Sequence, residues 1–315
     1  RVVLWLARSA SSLKRPFSAI SEATPCDEPP PRTYRVEQLR KLPHVDKPFT
    51  QGFEFSRDGS QLIETSGSFP LGMSSYVRGV DSQTGATLWK TDAGLDGAFV
   101  EGIAQRGSEG HWFASVYKEP RVALEYDQNM EYLKKHPYHF DGWGLTRTLD
   151  DSAFYATNGS SYVMTLDPEN FDLMTAGRAR CLCRPVSALN ELEMVEDFVG
   201  RGPALLGNVY TSRLVMALDP STFRCIGIFN LDSVDEPFQG GGMSESEGYH
   251  VANGIAHNPK TGTYMFTGKN WESMFEARLH EDASDDSIQK LREWFDSPHV
   301  APGILALWQR WSKAS

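Results

Sequence analysis

The sequence predicts an all-β chain: a five-bladed β-propeller closed by its own N-terminal strand and followed by a short C-terminal helical extension. Three observations carry this expectation. A short motif recurs five times at blade-like spacing, each copy keeps a fixed internal register behind it, and the fifth copy lacks an outer strand. The copies are Gln51-Gly52-Phe53, Glu101-Gly102-Ile103, Trp143-Gly144-Leu145, Asn190-Glu191-Leu192 and Asn253-Gly254-Ile255. Most run through a turn rich in Gly, Asp or Asn into a second β-prone run, as at Arg57-Asp58-Gly59-Ser60 and Asn258-Pro259-Lys260-Thr261-Gly262.

The register is the stronger argument. Sixteen positions after four of the starts stand Gly67, Tyr117, Gly159 and Lys269, and two positions before these stand Thr65, Ser115, Thr157 and Thr267. The fourth copy has a longer hairpin, so its equivalents fall at Asn208 and Tyr210. A third element, such as Val163-Met164-Thr165-Leu166-Asp167 or Val215-Met216-Ala217-Leu218-Asp219, ends in an Asp that opens a turn into an outer strand. The fifth copy runs out after Met274 to Leu279. The segment Arg35 to Leu42, ahead of the first copy, is expected to supply its missing strand and so remove an open edge.

Three regions follow: a leader over 1–33, the propeller over 34–280 and the extension over 281–315. The first 21 residues hold Arg1, Arg8, Lys14 and Arg15, five serines and no acid, a composition shared by organelle transit peptides. The apolar run Val2 to Ala7 equally suits the remnant of a secretory signal or membrane anchor. In the extension, Ser284 is expected to cap a helix carrying Ile288, Leu291 and Trp294 or Phe295, ended by Pro298 and Pro302. Ile304, Leu305, Leu307, Trp308 and Trp311 form a second apolar stretch, read with the helix as docking onto the propeller.

Composition narrows function. With 31 basic against 41 acidic residues, a net −10, the chain lacks the basic footprint of a general nucleic-acid binder. Four cysteines are too few for a disulfide scaffold. Cys181-Leu182-Cys183 has no second pair, and the eight histidines, His136 and His139 among them, show no ligand spacing, so neither a metal site nor a cofactor is expected. A monomer is expected.

Because the innermost strands of a propeller run the same way, their first residues converge at one mouth of the channel. That ring is Gln51, Glu101, Trp143, Asn190 and Asn253, and the returning second strands add Tyr117, Tyr210 and Lys269. One carboxylate, one amine, several amides and an aromatic wall suit a small ligand. A carboxyl beside Phe99 and other rings is costly to ionise, which raises its pKa toward the range useful for general acid–base work and singles out Glu101. The competing expectation is a non-catalytic propeller, a binding or interaction module with a vestigial pocket.

These residues resemble the plant and bacterial type of glutaminyl-peptide cyclotransferase. The resemblance is carried by Phe49-Thr50-Gln51-Gly52, Ser74-Ser75-Tyr76-Val77-Arg78, Phe99-Val100-Glu101-Gly102, Asp141-Gly142-Trp143-Gly144-Leu145, Leu189-Asn190-Glu191-Leu192-Glu193, Asn253-Gly254-Ile255-Ala256 and Thr267-Gly268-Lys269, in order, from about residue 34 to 280. It implies conversion of N-terminal glutamine of peptides or proteins to pyroglutamate with release of ammonia, without catalytic zinc, and favours the secretory route. By position it implies Glu101 as the essential glutamate, Gln51, Asn190 and Lys269 as polar pocket residues, and Phe49, Phe99 and Trp143 as apolar ones. Glu101, Lys269 and Asn190 are thus expected to act on the reacting groups. Gln51, Phe49, Phe99, Tyr117, Trp143, Tyr210 and Asn253 are expected to bind substrate. The chain departs from the family in having Tyr117 and Tyr210 where tryptophan is usual and Val100 where glycine is frequent; tyrosine keeps an aromatic wall and adds a hydroxyl that needs a partner.

Overall fold

The computed structural model describes residues 27–67, 74–236 and 250–297. Strand β1 (Arg32–Pro43) comes first. A four-stranded sheet follows in chain order: β2 (Thr50–Phe55), β3 (Gln61–Ser66), β4 (Tyr76–Asp81) and β5 (Thr87–Asp92). A second contains β6 (Phe99–Arg106), β7 (His111–Tyr117), β8 (Val122–Tyr126) and β9 (Tyr132–Pro137); a third contains β10 (Leu145–Arg147), β11 (Phe154–Ala156), β12 (Tyr162–Leu166) and β13 (Leu173–Arg178). A small hairpin, β14 (Arg180–Cys181) and β15 (Arg184–Pro185), leads to β16 (Leu189–Val195), β17 (Ala204–Val209), β18 (Leu214–Leu218) and β19 (Cys225–Asn230). Then come β20 (Ala252–His257), β21 (Tyr264–Gly268), β22 (Ser273–Glu281) and helix α1 (Ser287–Asp296).

The last strands join into one eight-stranded sheet of order β16-β17-β18-β19-β1-β22-β21-β20. As expected, the N-terminal strand completes the final hairpin set, running antiparallel to β22 from Tyr34 opposite Glu281 to Pro43 opposite Ser273. The sequence did not suggest its second contact. Arg32–Tyr34 also pairs in parallel with Gly227–Phe229 of β19, so one strand seals two neighbouring edges.

In the three four-stranded sheets the outermost strand is the most exposed, whereas β19 of the eight-stranded sheet stays buried beside β1. β2 is buried at every position, whereas β5 alternates between half-buried and exposed and β13 is mostly exposed. The inner strands neighbour one another in the cyclic order β2, β6, β10, β16, β20 and back to β2. The apolar core lies between adjacent sheets. Val77, Val100 and Trp112 pack between the first and second, Phe113, Leu145 and Phe154 between the second and third, and Phe53, Leu62 and Met265 between the first and last.

The repeated glycine is explained by how closely the inner strands approach. A Cβ on Gly52 would lie 2.5 Å from the Ile103 nitrogen, on Gly102 2.3 Å from the Leu145 nitrogen, and on Gly144 2.0 Å from the Asn190 carbonyl oxygen. In the first three hairpins the hydroxyl two positions before the end rivets the same contact; in the fourth Asn208 Oδ1 accepts from the Gly254 amide at 3.2 Å, and in the fifth Thr267 Oγ1 turns to the Ser273 carbonyl at 3.1 Å. Thr65 Oγ1 donates to the Glu101 carbonyl, Ser115 Oγ to that of Trp143 (2.7 Å) and Thr157 Oγ1 to that of Asn190 (2.8 Å). Thr65 and Thr157 also accept from the Gly52 and Gly144 amides at 2.7 and 3.0 Å. The register read from sequence is therefore a hydrogen-bond register.

Two expectations are corrected. Ser284 does not cap the helix: α1 starts after Asp286 with no side-chain cap, and Ser284 Oγ donates instead to Asp282 at 2.6 Å. The leader boundary at 33 is too late, since β1 begins at Arg32 and Glu28 already pairs with Arg180 and accepts from the Cys183 amide. Of the cysteines, Cys183 is disulfide-bonded while Cys181 and Cys225 are buried thiols. Helix α1 docks through Leu291, Ile288, Trp294 and Phe295 against the cluster around Met216 and Ile228. The leader up to residue 26, the two prolines and the second apolar stretch lie outside the described residues. No helix among the described residues is long and apolar enough to cross a membrane.

Gly102→Ala is expected to lower stability by about 1–3 kcal/mol in urea unfolding, because backbone rather than a yielding side chain meets the new methyl. A loss below about 0.5 kcal/mol, the range of neutral surface changes, would show that the inner strands can part without cost.

Candidate active site

Each inner strand delivers one side chain to the same end of the ring. Gln51 lies in β2, Glu101 in β6, Asn190 in β16 and Asn253 in β20, all buried, while Trp143 sits two residues ahead of β10. The returning strands bring Tyr117 at the end of β7 and, just past β17 and β21, Tyr210 and Lys269. Buried polar groups form the floor. Phe99, Tyr117 and Tyr210 are half-buried and form the wall.

The structure joins the predicted residues into one constellation. Lys269 Nζ donates to Gln51 Oε1 and stands 4.6 Å from the Phe49 ring centroid and 5.7 Å from that of Tyr210. Phe49 meets Phe99 edge-to-face at 6.2 Å, Phe99 meets Tyr117 at 6.0 Å, and Trp143 meets Tyr210 at 5.8 Å. The two glycines at the hairpin ends make room for rings: a Cβ on Gly67 would lie 2.4 Å from Phe99, and one on Gly159 2.6 Å from Trp143.

Electrostatics distinguish the two charged groups. Burial pushes the Glu101 carboxyl up to about 8, with Lys269 pulling partly against it. Burial likewise pulls the Lys269 ammonium down to about 8, and Glu101 opposes that shift. Glu101 Oε2 and Asn190 Oδ1 are buried and have no hydrogen-bond partner among the described residues. Asn253 is used differently from the expectation that it binds substrate. Its Nδ2 donates to the Thr50 and Gln51 carbonyls at 2.9 and 3.1 Å, which braces β2 against β20; only its Oδ1 lacks a partner. No group of three or more potential metal ligands is arranged for a metal ion among the described residues.

Three buried carboxyls nearby were not singled out by the sequence. Glu191 occupies the place that glycine takes in the other repeats. Its Oε2 accepts from the Ile255 amide at 2.9 Å, so a side chain bridges to β20 where other inner strands touch backbone to backbone. Glu193 accepts from the His257 amide (2.8 Å) and Glu54 from that of Gln105 (3.3 Å). Burial raises Glu54 to about 7 and holds Glu191 and Glu193 well above the usual carboxylate range. The signal was present as Glu at alternating inner-strand positions, but alternation alone does not say which face of a strand is buried.

Such carboxyls are protonated in the folded chain and ionised in the unfolded one above about 4.5, so the unfolded state binds fewer protons. For Glu54 the contribution to stability is complete below about pH 4.5 and is lost as pH rises toward 7, by at most about 1.4 kcal/mol per pH unit. Urea midpoints measured at pH 5 and 7.5 are expected to fall with pH, and Glu54→Gln to flatten that slope. An unchanged slope would remove Glu54 as its source.

The family model of glutamine cyclotransferase matches residues 11–279. A glutaminyl-peptide cyclotransferase of Arabidopsis thaliana is 27% identical over 254 residues, covering 79% of this chain and 73% of that protein. Among solved structures, the chain is similar to the crystal structure of Myxococcus xanthus glutaminyl cyclase, with a TM-score of 0.65 at 23% identity, covering 80% of this chain and 99% of the other. That structural likeness bears on the fold.

Proposed function

The chain belongs to the glutamine cyclotransferase family, and from that premise we propose that it converts N-terminal glutamine of peptides or proteins to pyroglutamate with release of ammonia. Membership makes it an acyltransferase and displaces the reading of a non-catalytic binding module. We read its architecture as five blades, with the eight-stranded sheet made of two blades joined along β19 and β1; the cyclic order of the inner strands supports this. The catalytic unit on this reading runs from β1 at Arg32 to about residue 280 and acts as a monomer. A disulfide at Cys183 supports an oxidising, secretory-route compartment.

One observation carries the mechanism: a buried carboxyl, Glu101, with an unpartnered oxygen and a pKa near 8, faces the charge of a buried ammonium, Lys269. The α-amine of the substrate attacks the γ-carboxamide carbon of the same residue. A C–N bond forms, the carbonyl becomes an oxyanion, and the amine gives up a proton. Glu101 accepts that proton and returns it to the departing nitrogen, so ammonia leaves as the carbonyl reforms. Lys269, held by Gln51, and the Asn190 amide orient the carboxamide and stabilise the oxyanion. Phe49, Phe99, Tyr117, Trp143 and Tyr210 hold the side chain folded toward its own amine and exclude water. The route draws on no metal, and chelators are expected to leave turnover unchanged.

Glu101→Gln is expected to remain folded and to lose about 10²–10⁴-fold in kcat for ammonia release from Gln-Ala. Activity within about twofold of the unsubstituted protein would remove Glu101 from the mechanism.

The pH profile follows from the same pair. Activity rises as Glu101 ionises toward pH 8 and falls as Lys269 loses its proton through the same range, which gives a narrow bell centred near 8. Lys269→Arg should abolish the alkaline fall while keeping the acid limb, as a guanidinium stays charged. An alkaline limb that survives this change would have another origin.

A further inference from the structure

Behind the Gln51–Lys269 contact lies an ionic network shut off from solvent. Glu64 and Arg78 have fully buried side chains, as does His44. Glu64 Oε1 accepts from Thr50 Oγ1 at 2.6 Å and from His44 Nε2 at 2.9 Å, while Oε2 accepts from Arg78 Nε at 2.8 Å and lies 2.7 Å from its Nη2. Arg78 Nη1 donates onward to the Val45 carbonyl (2.7 Å) and to Thr87 Oγ1 (3.1 Å). His44 Nδ1 lies 3.1 Å from the Trp271 carbonyl and 3.1 Å from Thr267 Oγ1. Nε2 thus faces the Glu64 carboxylate, and Nδ1 faces both the Trp271 carbonyl and the Thr267 hydroxyl.

Among the described residues, the network reaches both the Gln51 arm and the Lys269 arm of the active site. Thr50 immediately precedes Gln51, and its Oγ1 also lies 3.3 Å from the Gly268 carbonyl, immediately before Lys269. Thr267 and Trp271, both contacted by His44, flank Lys269 two residues to either side. Two further bonds fix the same arms: Lys269 N to the Val251 carbonyl and Asn270 N to the Pro48 carbonyl, both 2.9 Å. A buried ion pair of this kind is poor evidence for net stability, because desolvation offsets most of the attraction. Its geometry is better suited to holding the neighbouring backbone at one spacing.

We propose that the Glu64 carboxylate, through Thr50 and His44, is the positioning device that sets the Lys269 ammonium against Gln51 and so against the reacting carboxamide. This rests on the cyclotransferase reading and assigns Glu64, Thr50 and His44 as positioning residues that touch no substrate. Glu64 remains ionised for the purpose. Burial works against its charge, but His44 and Arg78, with hydrogen bonds from His44 and Thr50, hold the carboxyl at about 2.

Thr50→Val tests the proposal without altering any charge, since it removes one hydroxyl and nearly preserves shape. It is expected to lower kcat about tenfold with KM within twofold, and Thr50→Ser, which restores the hydroxyl, to recover most of the loss. Its crystal structure should show Lys269 Nζ and Gln51 Oε1 out of hydrogen-bond reach. Glu64→Gln should have the same effects if it folds. As a control, Glu125→Gln disrupts a comparable cluster remote from the site, where Glu125 meets His111 at 2.8 Å and His136 at 2.6 Å; it should lower Tm and leave kcat unchanged. Thr50→Val with kcat intact, with the Lys269–Gln51 contact intact, or with a loss that Thr50→Ser does not recover overturns the proposal. So does an equal kcat loss in Glu125→Gln. Unsubstituted protein that releases no ammonia from Gln-Ala instead refutes the cyclotransferase reading, and the crystallographic distance then decides the positioning role alone.

Discussion

The structure depends on how closely its inner strands can approach across a boundary where no sheet continues. Strands of one sheet satisfy each other's amides, but β2, β6, β10, β16 and β20 belong to different ladders and meet side by side. A direct bond crosses from the Gly102 amide to the Trp143 carbonyl at 2.9 Å, and the other facing groups need partners from elsewhere, because an unpaired buried backbone group is costly. Glycine permits the approach, and one small hydroxyl supplies the bond, accepting within its own sheet and donating to the next. Where the glycine is replaced by Glu191, a carboxyl spans the gap. The carbonyls so held belong to Glu101, Trp143 and Asn190, so the device that closes the ring also fixes the backbone of the site.

This coupling accounts for what the sequence made legible. The Thr65, Ser115 and Thr157 register could be found because the hydroxyl contact demands one residue type at one offset. The pocket followed from it, since residues that begin equivalent strands must converge. Lys269 and Gln51 were each recognisable by position, and the structure added that they touch. Asn253 was legible as a member of the ring but not as a brace on β2, because an amide at a strand start can face either the channel or its neighbour.

Long-range pairing left a fainter trace. The parallel seam between β1 and β19 involves Arg32 to Tyr34, whose composition says only that they can form a strand. Glu64 and Arg78 face each other across the β3–β4 pair, but His44, just past β1, joins them only after the first and last sheets meet. Individually they read as an ordinary alternation of charged and apolar residues. The missing cap at Ser284 has a similar cause: Asp282 lies two residues away and captures the hydroxyl for a local turn.

Burial acts on the two charged groups of the site in opposite directions and brings them to the same place. Burial pushes the carboxyl up and the ammonium down, and each offsets part of the other's shift. The substrate contributes a third group, an α-amine whose ordinary value is about 7.7–8.0. With acid, base and nucleophile matched near 8, moving a proton from the amine to Glu101 costs little free energy, which is the condition under which a single carboxyl can serve as base and then as acid. That match is made by enclosure rather than by any one contact. Whatever loosens the ring of inner strands would admit water, return Glu101 toward 4.5 and Lys269 toward 10.5, and weaken the base and the proton donor together.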